Sequence, residues 1–100
     1  MLESHYAPGT PLHVGDIRTL SEEAKGRRIA VISFTKDHAP LPTRVLSRAG
    51  DLSEAARELF AALRACDAGG YDVILAERFP ETGLGRAIND RLKRAAVKRA

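Results

Sequence analysis

Apolar positions along this chain follow two rhythms. Ile29-Ala30-Val31-Ile32-Ser33-Phe34 is nearly continuously apolar and rich in β-branched residues, with no polar alternation. That pattern predicts a strand covered on both faces, as in a parallel sheet beneath helices. Tyr71-Asp72-Val73-Ile74-Leu75-Ala76 repeats it, and Thr43 to Ser47, carrying Val45 and Leu46, predicts a further strand. Leu12-His13-Val14, ended by Gly15-Asp16, reads as a brief strand. The second rhythm is helical. Leu52, Ala55, Ala56, Leu59, Phe60 and Leu63 recur at spacings of three and four. Asp51 opens this helix with Glu54 three positions on, a capping-box-like pattern, and Gly69-Gly70 stops it. Ile17, Leu20 and Ala24 predict a short helix ending near Gly26. Leu84, Ala87, Ile88, Leu92 and Ala95 predict a last helix with those residues facing inward.

The resulting order is β-(α)-β-β-α-β-α. Apolar strands alternating with amphipathic helices predict an α/β domain, a mostly parallel sheet with helices on its faces. Thr43–Ser47, the following helix and Tyr71–Ala76 form a βαβ unit. Residues 1–11 differ from the rest. Pro8, Gly9 and Pro11 forbid regular helix there, so this stretch reads as a linker and residues 12–100 as the domain. His5 and Tyr6 are side chains that a featureless linker does not need.

Composition adds a few constraints. One hundred residues suit a single compact domain, and 44% hydrophobic with 5% aromatic implies a core of Ala, Leu, Val and Ile. Cys66 is the only cysteine, so no intrachain disulfide can form, and His5, His13 and His38 lack the spacing of a metal site. Cys66 reads as a small hydrophobe near the end of a helix. No apolar run approaches the ~20 residues of a membrane span. The N-terminus lacks the basic-then-apolar order of a signal peptide, so no membrane partner and a cytoplasmic location are expected. The net charge of +3 is uneven: Arg86, Arg91, Lys93, Arg94, Lys98 and Arg99 face only Asp90 from Leu84 onward. Such an end can attract RNA, or simply complement the dipole of its helix. No aromatic residue is interleaved to stack on bases.

Candidate chemistry is sparse. Glu77 directly follows a buried strand, at a carboxyl edge where α/β sheets place ligands. It can act on a ligand there, or accept hydrogen bonds from the following turn. Gly83-Leu84-Gly85 stands at a helix start, where backbone N–H groups can meet a phosphate. It lacks the third glycine of a dinucleotide fingerprint. Its structural reading is that Gly83 permits the turn and Gly85 lets the helix approach the sheet closely. Asp90 and Arg94 are spaced for an i,i+4 ion pair. Ser33, Ser47 and Ser53 are not in nucleophile-elbow contexts, so no catalytic residue is assigned.

Two stretches carry a family resemblance. His5-Tyr6-Ala7-Pro8, with Met1 in register, is similar to the interdomain linker of the longer threonylcarbamoyl-AMP synthases, Ser-Pro-Gly-Met-x-x-x-His-Tyr-Ala-Pro. Asp51 to Ala96 resembles their C-terminal domain through Glu54-Ala55-Ala56, Leu59-Phe60, Leu63-Arg64, Asp67, Tyr71-Asp72-x-Ile74, Ala76-Glu77, Pro80, Gly83-Leu84-Gly85, Ala87-Ile88, Asp90-Arg91-Leu92 and Arg94-Ala95. The resemblance implies a small Rossmann-like three-layer accessory domain. Its parent enzyme makes threonylcarbamoyl-AMP and pyrophosphate from L-threonine, bicarbonate and ATP, for threonylcarbamoyladenosine in tRNA.

Catalysis would belong to a YrdC-like N-terminal domain preceding this chain, which is its expected partner. The parent would use ATP and Mg; no cofactor is expected in this fragment, nor activity from it alone. His5 and Tyr6 become the residues expected to contact ATP or threonylcarbamoyl-AMP, through a linker gating the catalytic cleft. Two alternatives stand beside this: a nucleotide- or phosphate-binding module using Glu77, Gly83 and Gly85, and a tRNA-binding module using the basic last helix.

Overall fold

A computed structural model of the chain describes residues 8–96. The elements are β1 (Leu12–Val14), α1 (Ile17–Glu23), β2 (Ile29–Ser33), β3 (Thr43–Val45), α2 (Leu52–Ala68), β4 (Val73–Ala76) and α3 (Leu84–Ala96). All strand pairs are parallel, in a four-stranded sheet ordered β1-β4-β2-β3. The central strands β2 and β4 are buried along their whole length, apolar throughout except for Ser33 at the end of β2.

Two apolar layers flank the sheet. On one face Ala30, Ile32, Ile74 and Ala76 pack with Ala55, Leu59, Leu63 and Cys66 of α2 and with Ile88, Leu92 and Ala95 of α3. On the other face Ile29, Val31, Val73 and Leu75 pack with Ile17 of α1, and Leu20, Ala24 and Leu41 cover their flank. The fold is therefore three-layered, as expected, but unequally so. α2 and α3 supply 17 and 13 residues to one side, and α1 supplies seven to the other. No helix joins β2 to β3; residues 34–42 run as a loop, with a cis Ala39–Pro40 bond.

Several boundaries move. β3 ends at Val45, although Leu46 and Ser47 N–H still donate to the Ser33 and Phe34 carbonyls. β4 begins at Val73, because Asp72 turns aside: its carboxylate accepts from Arg28 N at 2.8 Å. The inward face of α3 also differs from the prediction. Leu84 is 46% exposed and Ala87 is exposed, whereas Gly85, Ile88, Leu92 and Ala95 are buried. The cause is steric. Where Gly85 stands, a Cβ would fall on the Pro80 carbonyl oxygen and 2.9 Å from its carbon, with Leu52 of α2 at 3.5 Å. The inner position at the start of α3 admits no side chain, so Leu84 is turned outward. Gly85 makes its close approach to the preceding loop and to α2, rather than to the sheet.

Cys66 is buried on α2, as expected of a small hydrophobe, and burial pushes its thiol pKa up. Only the thiolate is nucleophilic. Native protein at pH 8 should therefore react with iodoacetamide about tenfold more slowly than urea-unfolded protein, or slower still. Equal rates, followed by mass spectrometry, would contradict this packing.

Candidate functional site

Glu77 is the first residue past β4, and its N–H still donates to the Ile32 carbonyl at 3.0 Å. This fixes its side chain over the ends of the central strands. Oε1 accepts the Phe34 N–H at 3.0 Å, and Oε2 lies 2.5 Å from His38 Nε2. The two side chains are only 20% and 22% exposed. Glu77 thus ties the end of β4 to the loop after β2. That loop is fixed from within as well. Ser33 Oγ donates to the Lys36 carbonyl, His38 N–H donates to Thr43 Oγ1, and Thr43 Oγ1 donates to the Leu41 carbonyl.

Asp16 faces the same region from the start of α1. Its carboxylate accepts from Thr19 N at 3.0 Å and Thr19 Oγ1 at 2.8 Å. These bonds, backbone first, hold its pKa below the ordinary carboxylate value, with a smaller contribution from the nearby Arg18 and His38. Between α1 and the 34–42 loop runs an open groove of about 1020 Å³. Asp16, Arg18, Lys36, His38, Glu77 and Arg78 are among its walls.

Gly83 and Gly85 are not among those walls. Gly83 takes a positive φ of 51° in open space, which fits a turn, and Gly85 is fixed by the Pro80 contact. The Gly85 and Arg86 N–H groups donate back to the Thr82 and Gly83 carbonyls at 2.9 and 3.2 Å. The sequence grouped Glu77 with these glycines; the structure gives the glycines to the other side of the loop, under α3. Glu77 stands at the carboxyl edge, but the backbone N–H it accepts is that of Phe34 after β2 and not one of the following turn.

One residue escaped the sequence reading. Asn89 Oδ1 accepts from Phe79 N at 2.7 Å, and its Nδ2 donates to Phe79 O and to Glu81 Oε2, both at 2.8 Å. This clamp holds the β4–α3 loop, whose Phe79 ring packs 5.2 Å from that of Phe34. An asparagine inside a helix, where its amide competes with the backbone, was the available signal. The basic end of the chain is also more engaged than its sequence suggests. Arg94 pairs with Asp90 at 3.2 Å, Arg86 lies 3.9 Å from Glu81, and the Arg91 guanidinium stands 5.3 Å from the Phe60 ring centroid. Lys98 and Arg99 lie outside the described residues.

His5 and Tyr6 also lie outside the described residues. The segment after them, from Pro8 to Pro11, is tied to the domain. Pro8 is buried. Asp67, near the end of α2, accepts from Gly9 N at 3.3 Å, Thr10 N at 3.0 Å and Thr10 Oγ1 at 2.7 Å. The Pro11 carbonyl then takes the Ile74 N–H at 2.8 Å. The last part of the leader is thereby docked on the domain. Among the described residues no helix is long and apolar enough to cross a membrane, and no group of three or more His, Cys, Asp or Glu could hold a metal ion.

Comparison with known proteins places this geometry. The family model for the threonylcarbamoyl-AMP synthase C-terminal domain matches residues 1–97. A curated threonylcarbamoyl-AMP synthase of Bacillus subtilis (strain 168) is 36% identical over 107 residues, covering 96% of this chain and 31% of the relative. Among solved structures, Pyrococcus abyssi Sua5 complexed with L-threonine superposes with a TM-score of 0.78 at 34% identity, over 92% of this chain and 29% of that one. The same protein with a histidine and the adjacent tyrosine replaced by alanine gives 0.72 at 34% identity, over 89% of this chain and 28% of that one. The C-terminal Sua5 domain of a Pyrococcus horikoshii protein gives 0.61 at 28% identity, over 87% of this chain and 93% of that one. The chain therefore spans under a third of the curated relative, and nearly the whole of a domain crystallised by itself.

Proposed function

This chain belongs to the threonylcarbamoyl-AMP synthase C-terminal domain family, and from that premise we propose that it is the accessory, regulatory part of such a synthase, its leader gating the catalytic cleft of a preceding domain. The parent enzyme joins L-threonine, bicarbonate and ATP into threonylcarbamoyl-AMP, releasing pyrophosphate, in service of tRNA modification. The preceding YrdC-like domain performs that chemistry. ATP and Mg are assigned to that domain together with the chemistry it performs.

The observation that carries this reading is the docking of Pro8–Thr10. Buried Pro8 and the three bonds to Asp67 fix the leader's end on α2. In the sequence, His5 and Tyr6 come shortly before that anchor. Their chemistry suits a nucleotide or acyl-adenylate: the Tyr6 ring can cover a base, and either side chain can donate to a phosphate. An anchored end also lowers the entropy lost when the leader closes. His5-Tyr6 is the only adjacent His-Tyr pair in the chain. Such a pair is what was replaced in one of the similar P. abyssi structures, which supports assigning it a role.

The test is pyrophosphate release dependent on ATP and threonine. This chain alone should give none, and the chain joined to its preceding domain should turn over. His5→Ala with Tyr6→Ala should lower turnover of the joined enzyme by about tenfold or more, a loss typical of mispositioned substrate. Its melting temperature should not change. Turnover by the isolated chain, or an unaffected double variant, would overturn the proposal.

A further inference from the structure

The groove between α1 and the 34–42 loop exists because of the topology. β2 and β3 are parallel neighbours joined by a loop and not a helix, so among the described residues α1 is the single helix on that face of the sheet. At the carboxyl end of the strands this groove meets a point of divergence. β1 and β4 are neighbours; the chain leaves β1 into α1 on one face, and leaves β4 into α3 on the other. In open α/β sheets such a divergence opens a crevice at the carboxyl edge, where ligands bind.

Three cations reach that end from three separate segments. Arg18 lies in the first turn of α1, just past β1. Lys36 stands three residues past β2, and Arg78 two residues past β4. None of them makes an ion pair among the described residues, whereas Arg86 and Arg94, elsewhere on the surface, do. The carboxylates along the groove are largely committed. Asp16 is occupied by Thr19, and Glu77 by the Phe34 N–H and His38, leaving Asp37 as the third. Lys25 and Arg27 add positive charge farther along the same groove. The walls contain Ile17, Ile29 and Leu41 but no aromatic residue. An excess of uncommitted cations at the carboxyl-edge end of one groove suits a small phosphate-bearing ligand. Absence of stacking surfaces disfavours a single nucleic-acid strand.

We propose that the carboxyl-edge end of this groove binds a small phosphate-bearing ligand, held by Arg18, Lys36 and Arg78. The site is separate from the leader and does not depend on the gating role. His38, held by Glu77 through Nε2, stands beside it.

The experiment uses the chain as it stands, with backbone amide shifts followed during titration with inorganic pyrophosphate and, separately, AMP. Salt is held at about 0.15 M, so that only close charge pairs persist. Saturable shifts at Arg18, Lys36 and Arg78 with at least one probe, with a Kd of about 1 mM or tighter, are expected. Replacing all three with Ala should weaken binding by about 100-fold or more, each charge-assisted contact being worth roughly tenfold. All three side chains are exposed, so the variant should fold. Replacing exposed Arg48, Arg57 and Lys93 instead should leave affinity unchanged. Three results would each overturn the site: no saturable shift with either probe, equal weakening by the control variant, or tighter binding of a short oligouridine than of pyrophosphate.

Discussion

Gly85→Ala should destabilise this domain by about 3 kcal/mol, the upper part of the range for forcing atoms into a packed site. Helix propensity alone predicts the opposite, because Ala favours a helix over Gly by about 1 kcal/mol. The steric term dominates here. The added methyl would clash with the Pro80 carbonyl oxygen, a backbone atom with no rotamer to change. Nor can the loop simply retreat. The residue before Pro80 is held by Asn89 at both its N–H and its carbonyl, and its ring is buried against the sheet layer. Moving Pro80 means breaking that clamp. Urea unfolding should show the loss, and the melting temperature should fall by about 10–20 °C for a domain of this size. A variant as stable as the parent would mean that the loop is free to move. Gly83→Ala, at positive φ but in open space, should cost only about 1 kcal/mol.

Leu92→Ala should cost about 3–4 kcal/mol, since it removes a wholly buried side chain and leaves a cavity. Leu92 belongs to the larger of the two apolar layers, where α2, α3 and the sheet meet. Such a site cannot collapse without moving two long helices. Leu84→Ala on the same helix is the informative control. Leu84 is 46% exposed, so its loss should stay within about 0.5 kcal/mol. Comparable losses from the two substitutions would mean that α3 is rotated from the orientation described.

That contrast marks where the sequence spoke clearly and where it did not. The β-branched runs at 29–34 and 71–76 announced buried parallel strands, because short, largely apolar, β-branched stretches suit strands covered on both faces. Asp51 announced the start of α2, and its carboxylate does accept from Ser53 and Glu54 N–H. The second half of that cap was hidden. Glu54 does not reach back to the Asp51 N–H. Buried Ser47 intervenes, accepting the Asp51 N–H at 2.8 Å and donating to Glu54 at 2.7 Å. Ser47 has no local pattern to betray this role. The inward face of α3 was misread because periodicity counts side chains, and the closest contact there is made by a residue without one. The Glu77–His38 pair joins positions 39 apart, and the strand order that unites them cannot be inferred from spacing. For the leader the reverse holds. His5 and Tyr6 drew attention by their identity, and the structure adds the anchor behind them.

The anchor sets a leash length. Asp67 lies at the end of α2 that leads into the start of β4, and Pro11 sits at the start of β1, so the pivot is at the amino edge of the sheet. Fully extended, a chain advances about 3.3–3.6 Å per residue. His5 is four residues from Gly9 and Tyr6 is three, so chain length alone caps the distance of either Cα from Gly9 at roughly 14 Å. On the proposed gating role, a cleft served by these side chains would sit close against the amino edge. The carboxyl-edge mouth, with Arg18, Lys36 and Arg78, lies at the opposite end of the strands.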